Sequence, residues 1–179
     1  MPMRNFLIAG AVVVTAAVGS PAMASPPPEA PCKADPAYER LDFWVGRWEV
    51  FDPKGKKDGD NLIEKILASC AIVENWSDAD GSRGKSLFYY LRAQRRWKQV
   101  WVTDTGFVKE KAQLLDYPGP GVRFQGELPL PGGVVVLDRT TLTELPDGRV
   151  RQVIEQSRDG GKNWSSWEGI YMRARKPGD

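Results

Sequence analysis

Three glutamates, Glu64, Glu74 and Glu155, stand inside otherwise apolar, alternating stretches, where a carboxylate is costly unless it has a partner or a task. Two such groups facing one another are able to do acid–base work on a glycosidic bond or to isomerise a small molecule. Arg139, Arg151 and Arg173 lie in comparable stretches, and a carboxylate that faces an arginine is structural rather than catalytic. Asp104-Thr105-Gly106 has the letters of an aspartic-protease signature. That chemistry needs two carboxylates sharing a proton, so one copy would require a dimer, and Phe107 stands where a small residue belongs. A hairpin turn is the simpler assignment. The chain contains no histidine, which removes Ser-His-Asp and Cys-His catalysis, His-ligated haem and the usual catalytic zinc sites. No metal site and no cofactor is readable.

Aromatic residues form the second chemical set. Trp97, Gln99 and Trp101 alternate along one strand face, Glu74 and Trp76 share another, and Phe88 and Tyr90 oppose Tyr89. Aromatic walls with a few polar anchors describe a small-molecule cavity, and equally a barrel filled by its own side chains. Residues near the middles of different strands give the candidate lining: Glu74, Trp76, Tyr89, Gln99, Trp101, Arg139 and Glu155. Which of the two alternating faces points inward stays open, because a one-residue change of register inverts the set. Trp76 and Trp101 anchor it, being apolar and ill-suited to face water together.

Such residues need strands to position them, and the hydrophobic period from Gly46 onward is two, with no helical stripe. The pattern predicts strands over about Arg47–Asp52, Leu62–Leu67, Ala71–Ser77, Lys85–Arg92, Trp97–Thr103, Val108–Asp116, Val122–Leu128, Val134–Leu145, Arg149–Ser157 and Ser166–Arg175. Between them lie Asp80-Gly81, Pro118-Gly-Pro-Gly, Pro131-Gly-Gly and Pro146-Asp-Gly, all turn chemistry. Short strands joined by tight turns predict one all-β domain over residues 41–176. Its expected form is an antiparallel up-and-down barrel of eight to ten strands with very little helix, since closure removes exposed edges. A two-sheet sandwich is the alternative. Pro36 to Leu41 fits one short helical turn. Ser157-Arg-Asp159-Gly-Gly161-Lys-Asn-Trp164 has the Asp-box pattern of sialidases and other β proteins, and a single copy predicts a structural hairpin held by Asp159 and Trp164.

Residues 1–24 read as a secretion signal: Arg4, an apolar run from Phe6 to Val18, then Ala22-Met23-Ala24. The run is short for a membrane span, and nothing later approaches one. Residues 25–40 form a proline-rich leader. Cleavage near Ala24 leaves about 155 residues, which suits one domain. The formal charge of +2 falls by one with Arg4. Near-neutral, interspersed charge argues against a nucleic-acid partner. The expectation is an exported protein, periplasmic or secreted and not membrane-spanning, whose oligomeric state the sequence leaves unread. In an oxidising compartment Cys32 and Cys70 are expected to pair. Glu29-Ala30-Pro31 lacks the sequence that precedes a lipidated cysteine.

Asp42 to Phe51, DFWVGRWEVF, carries a Gly-x-Trp step at Gly46-Arg47-Trp48. Glycine permits a tight backbone approach, and the tryptophan is large enough to plug the end of a β-structure. Together with NLIEKILASCAIVENW, FYYLRAQRRWKQVWVTDTG and LPDGRVRQVIEQSRDGGKNW, this stretch resembles a family of bacterial secreted proteins defined only as a domain of unknown function and lipocalin-like. The resemblance covers nearly all of the chain after the signal. The Gly-x-Trp step is similar to the first-strand motif of calycins, in which the Trp packs beneath a late-strand arginine. That implies such a role for Arg173 or Arg175 over Trp48. Related haem-binding barrels of the nitrobindin type use a histidine ligand that this chain lacks, so no haem is implied.

These readings lead to an exported lipocalin-like barrel that binds a small apolar or amphipathic ligand without catalysis. One rival is a carboxylate–arginine enzyme, an isomerase or hydrolase, in the same barrel. Another is an envelope interaction protein with a solid core. A cavity larger than about 300 Å³ disfavours the solid core, and a carboxylate with a raised pKa inside it favours the enzyme.

Overall fold

The computed structural model describes residues 32–175, so the segment read as a secretion signal, the first part of the expected leader and the final residues lie outside the described residues. Ten strands follow one another: β1 (Gly46–Phe51), β2 (Lys57–Ile66), β3 (Ala71–Asp78), β4 (Arg83–Leu91), β5 (Arg96–Thr103), β6 (Val108–Gln113), β7 (Val122–Pro129), β8 (Val135–Glu144), β9 (Val150–Ser157) and β10 (Ser165–Arg173). Each pairs antiparallel with its neighbours in sequence. Because β1 also pairs with β10, the sheet closes into an up-and-down barrel without a free edge, which excludes the sandwich.

Two strands depart from the period-two expectation. β2 begins at Lys57, ahead of Leu62, although Lys57-Asp58-Gly59-Asp60-Asn61 carries no apolar alternation. Pairing with β1 and β3 on both sides supplies its ladder regardless of side-chain type. β6 stops at Gln113, short of Asp116, and only Ala112 and Gln113 pair with β7. Helix among the described residues is confined to short 3-10 turns at Pro36–Glu39, Asp42–Trp44, Arg92–Gln94 and Pro131–Gly133. The first starts where the Asp35 side chain accepts from the Ala37 amide (2.9 Å), with Pro36 in its first turn. No helix among the described residues is long and apolar enough to cross a membrane.

The barrel is closed at the end where β1 begins. There the described part of the leader folds back onto the strands instead of extending away. Tyr38 is buried edge-on against Tyr90 and Trp97, with ring centroids 5.2 and 6.1 Å apart, and Trp97 Nε1 donates to the Ala37 carbonyl (2.9 Å). A Cys32–Cys70 disulfide pins the segment beside the start of β3. Trp48 is fully buried, its Nε1 donating to the Trp44 carbonyl (2.8 Å). Arg173, not Arg175, is the arginine that covers it, 3.8 Å above the indole, while donating to the Val45 carbonyl (2.7 Å). Gly46 makes this lid possible. Its φ of 141° suits glycine, and a Cβ there would fall on the Arg173 guanidinium. Above Trp48, the rings of Trp44, Phe88, Phe124 and Tyr171 interlock edge to face at 5.3–6.1 Å and fill the lower half of the barrel.

Candidate functional site

Alternation fixes what each strand contributes to the interior. Asn61 and Ile63 on β2 point inward, as do Ile72 and Glu74 on β3, Ser86 and Phe88 on β4, and Trp97 and Gln99 on β5. The apolar members of these pairs lie toward the closed end and the polar members above them. The lower half is therefore a packed core, and the upper half encloses a cavity of about 300 Å³ that opens at the opposite end.

The floor of the cavity is a connected polar network. Asn61 Nδ2 donates to Glu74 Oε1 (2.8 Å) and to the Tyr171 hydroxyl (3.2 Å), which donates on to Gln152 Oε1 (2.6 Å). Ser86 Oγ donates to Glu74 Oε2 (2.6 Å) and accepts from Gln99 Nε2 (3.1 Å). Burial pushes the Glu74 carboxyl above its ordinary range, against the downward pull of Ser86, Asn61 and the Lys111 charge. Burial also raises the Tyr171 hydroxyl, reinforced by the Glu74 charge. Gln99 Oε1 is buried without a hydrogen-bond partner.

The wall built from β6 and β8 holds a buried ion cluster. Lys111 and Lys109 both pair with Asp138, Lys109 at 2.9 Å, and Lys111 also donates to Thr140 Oγ1 (2.6 Å). Gln156 Nε2 gives Asp138 a further donor (2.7 Å). Burial lowers the Lys111 ammonium to about 8, with Asp138 opposing the shift. Burial acts to raise Asp138, but the two lysine charges outweigh it and hold the carboxylate below its ordinary range.

Three half-buried tryptophans, Trp76, Trp101 and Trp167, form the mouth. Each ring lies over a strand glycine: Trp76 over Gly59, Trp101 over Gly84, and Trp167 over Gly169, where a Cβ would collide with the indole. Trp167 is further fixed by its Nε1 donating to Asp58 Oδ2 (3.1 Å).

Of the seven residues read as lining from sequence, the structure brings Glu74, Trp76, Gln99 and Trp101 together in this cavity. It places Tyr89, Arg139 and Glu155 on the outer face. Tyr89 has the opposite parity to Phe88 on β4 and is 36% exposed. Arg139 and Glu155 pair directly across β8 and β9, outside Thr140 and Ile154. There Arg139 grips Glu155 bidentately (2.7 and 2.8 Å), Arg123 adds a contact at 3.4 Å, and the Arg139 guanidinium lies 3.6 Å from the Trp164 ring. The Arg139 hydrogen bonds hold the Glu155 carboxyl below its usual range. Arg151 pairs with Glu168 (2.6 Å) on the same outer surface. Glu64 is exposed. Among the described residues no arginine lines the cavity, so Glu74 faces it without one.

The remaining motifs are turns. Asp104 Oδ2 accepts from the Arg83 amide (3.0 Å) and the Gly106 amide bonds Thr103, an exposed hairpin. Asp159 Oδ1 accepts from the amides of Lys162 and Asn163 (3.0 and 2.9 Å), and Trp164 Nε1 donates to the Gly161 carbonyl (2.9 Å). These bonds, led by that from Asn163, lower the Asp159 carboxyl to about 2.

Sequence reasoning missed Asn61, Lys109, Lys111, Asp138, Trp167 and Tyr171. The in-strand glycines were the available signal for the mouth, since an isolated strand glycine marks a close approach by another group. Nothing comparable marked the lysines, because on β6 the face with Val108 and Ala112 points outward and the Lys109–Lys111 face points inward, the reverse of what hydrophobicity suggests. Among the described residues no group of three or more His, Cys, Asp or Glu is arranged to hold a metal ion. No protein-family model matches the chain and no curated protein matches it, so a functional reading rests on the geometry of the cavity.

Proposed function

We propose that the protein is an exported barrel of the lipocalin-like kind that holds one small amphipathic molecule in the upper half of its interior. The observation that carries this reading is the cavity of about 300 Å³, which combines an aromatic mouth with a hydrogen-bonding floor. Ligand sites combine mainly apolar walls with a few placed polar groups, and this volume is at the lower end of their range. The disulfide accords with export. Membership of the secreted domain-of-unknown-function family belongs to the same proposal and adds no activity to it. Native mass spectrometry of protein purified from its own host should show a co-purifying mass. Tryptophan fluorescence should respond to members of a panel of fatty acids, aromatic acids and isoprenoids. Silence in both experiments would leave the interaction-protein reading in place.

One observation favours a second reading. Glu74 is a buried carboxyl with a raised pKa at the floor of an accessible cavity, the environment in which a carboxylic acid serves as a general acid near neutral pH. If the bound molecule is transformed, Glu74→Gln should abolish turnover and spare binding.

A further inference from the structure

The mouth of the cavity carries two carboxylates without a cationic partner. Asp58 on β2 and Asp78 on β3 both line it, and neither enters an ion pair among the described residues. Asp58 holds the Trp167 indole in place, and Asp78 accepts from the backbone amide of Asp80 (3.1 Å). The adjacent rings of Trp76 and Trp167 stand 6.5 Å apart at 81°, forming a corner, and Trp101 adds a third aromatic wall from β5.

Across the ring, β7 and β8 face β2 and β3. Lys109 and Lys111 on the adjoining β6 also line the cavity, and both are already engaged by Asp138. Deeper in, Gln99 is 6% exposed and its Oε1 has no donor. Asp58, Asp78 and Gln99 Oε1 are thus all acceptors, two of them negatively charged, beside faces whose π-electrons attract cations. An anion would meet two unpaired carboxylates, and an uncharged molecule would desolvate them without compensation.

Resting on the small-molecule reading above, we propose that the cavity selects a small organic ammonium ion with a hydrogen-bond donor at its other end. The cation lies among Trp76, Trp101 and Trp167 with Asp58 and Asp78 as counter-charges, and the donor satisfies Gln99 Oε1.

Choline, its uncharged tert-butyl isostere in which carbon replaces the ammonium nitrogen, and decanoate are the probes. Each is titrated into the disulfide-intact protein by tryptophan fluorescence and calorimetry. Choline is expected to bind at least about tenfold more tightly than the isostere, with a preference that shrinks as salt rises. Asp58→Asn with Asp78→Asn, which keeps the Trp167 hydrogen bond available, should erase the preference while leaving the thermal melt unchanged and the isostere bound at least as tightly as before. Isostere or decanoate binding as tightly as choline would overturn cation selection and leave the small-molecule reading standing. Failure of all three probes, together with silence across the wider panel, would overturn both.

Discussion

Replacing Trp48 with alanine should remove much of the stability of the fold. The side chain is fully buried, and an indole takes on the order of 200 Å² out of water. At about 25 cal/mol per Å², and allowing for the Cβ that alanine keeps, its loss forfeits about 4 kcal/mol. The Trp44 carbonyl would lose its donor, worth about 1 kcal/mol, and the Arg173 guanidinium its aromatic face, worth about 0.5–1 kcal/mol. Collapse of Tyr171 into the space offsets part of this, so the net expectation is about 3–5 kcal/mol. Urea denaturation at neutral pH with the disulfide intact measures it, and the six other tryptophans keep the fluorescence signal. A loss below about 1 kcal/mol would refute the view that Trp48 seals the barrel. Gly46→Ala tests the lid from above. The added Cβ meets Arg173 and the backbone is held at positive φ, so about 1–3 kcal/mol should be lost, and a neutral result would contradict the arginine's placement.

Burial sets Lys111 at about 8 against an ordinary 10.5, so between those pH values the unfolded chain holds the extra proton and stability rises with pH. Relative to Lys111→Met, the parent should gain on the order of 3 kcal/mol across that window, and a falling difference would count against it. Glu74 shifts the other way: the folded state keeps a proton that the unfolded chain releases above 4.5, so its contribution is present below that value and lost as pH rises through the folded pKa. Glu74→Gln removes the buried ionisable group, its carbonyl oxygen still accepting from Asn61 while its amide donates to Ser86 Oγ. It should be at least as stable as the parent at neutral pH, whereas a loss above about 1 kcal/mol would show the carboxylate to be favourably placed. The disulfide closes a separation of 38 residues, for which chain entropy gives about 4 kcal/mol. Reduction should lower Tm accordingly, and thiol titration of unfolded, unreduced protein should find none.

Strand identity was local information, and the sequence carried it: alternation from Gly46 to Arg173, broken by glycine, proline and aspartate at the turns, places ten strands where ten are found. Gly46, Trp48, the cysteine pair and the Asp159–Trp164 hairpin were legible for the same reason, each being a short-range pattern or a chemical necessity. What only the tertiary structure decided is which face is inside and how far the inside is filled. On β8 both faces carry apolar residues, Val135 and Leu137 on one, Val136 and Leu142 on the other, so Arg139 and Asp138 were equal candidates for the interior. A period of two is unchanged when inside and outside are exchanged. Contacts across the closed ring break that symmetry, such as Asn61 to Tyr171 over 110 residues or Arg173 above Trp48, and they turn Asp138 and Lys111 inward and Arg139, Glu155 and Tyr89 outward. Whether the barrel is hollow depends likewise on summed volumes. Trp44, Phe88 and Phe124 meet and fill the lower half, while Gly59, Gly84 and Gly169 let three indoles lie flat against the wall and leave the upper half open.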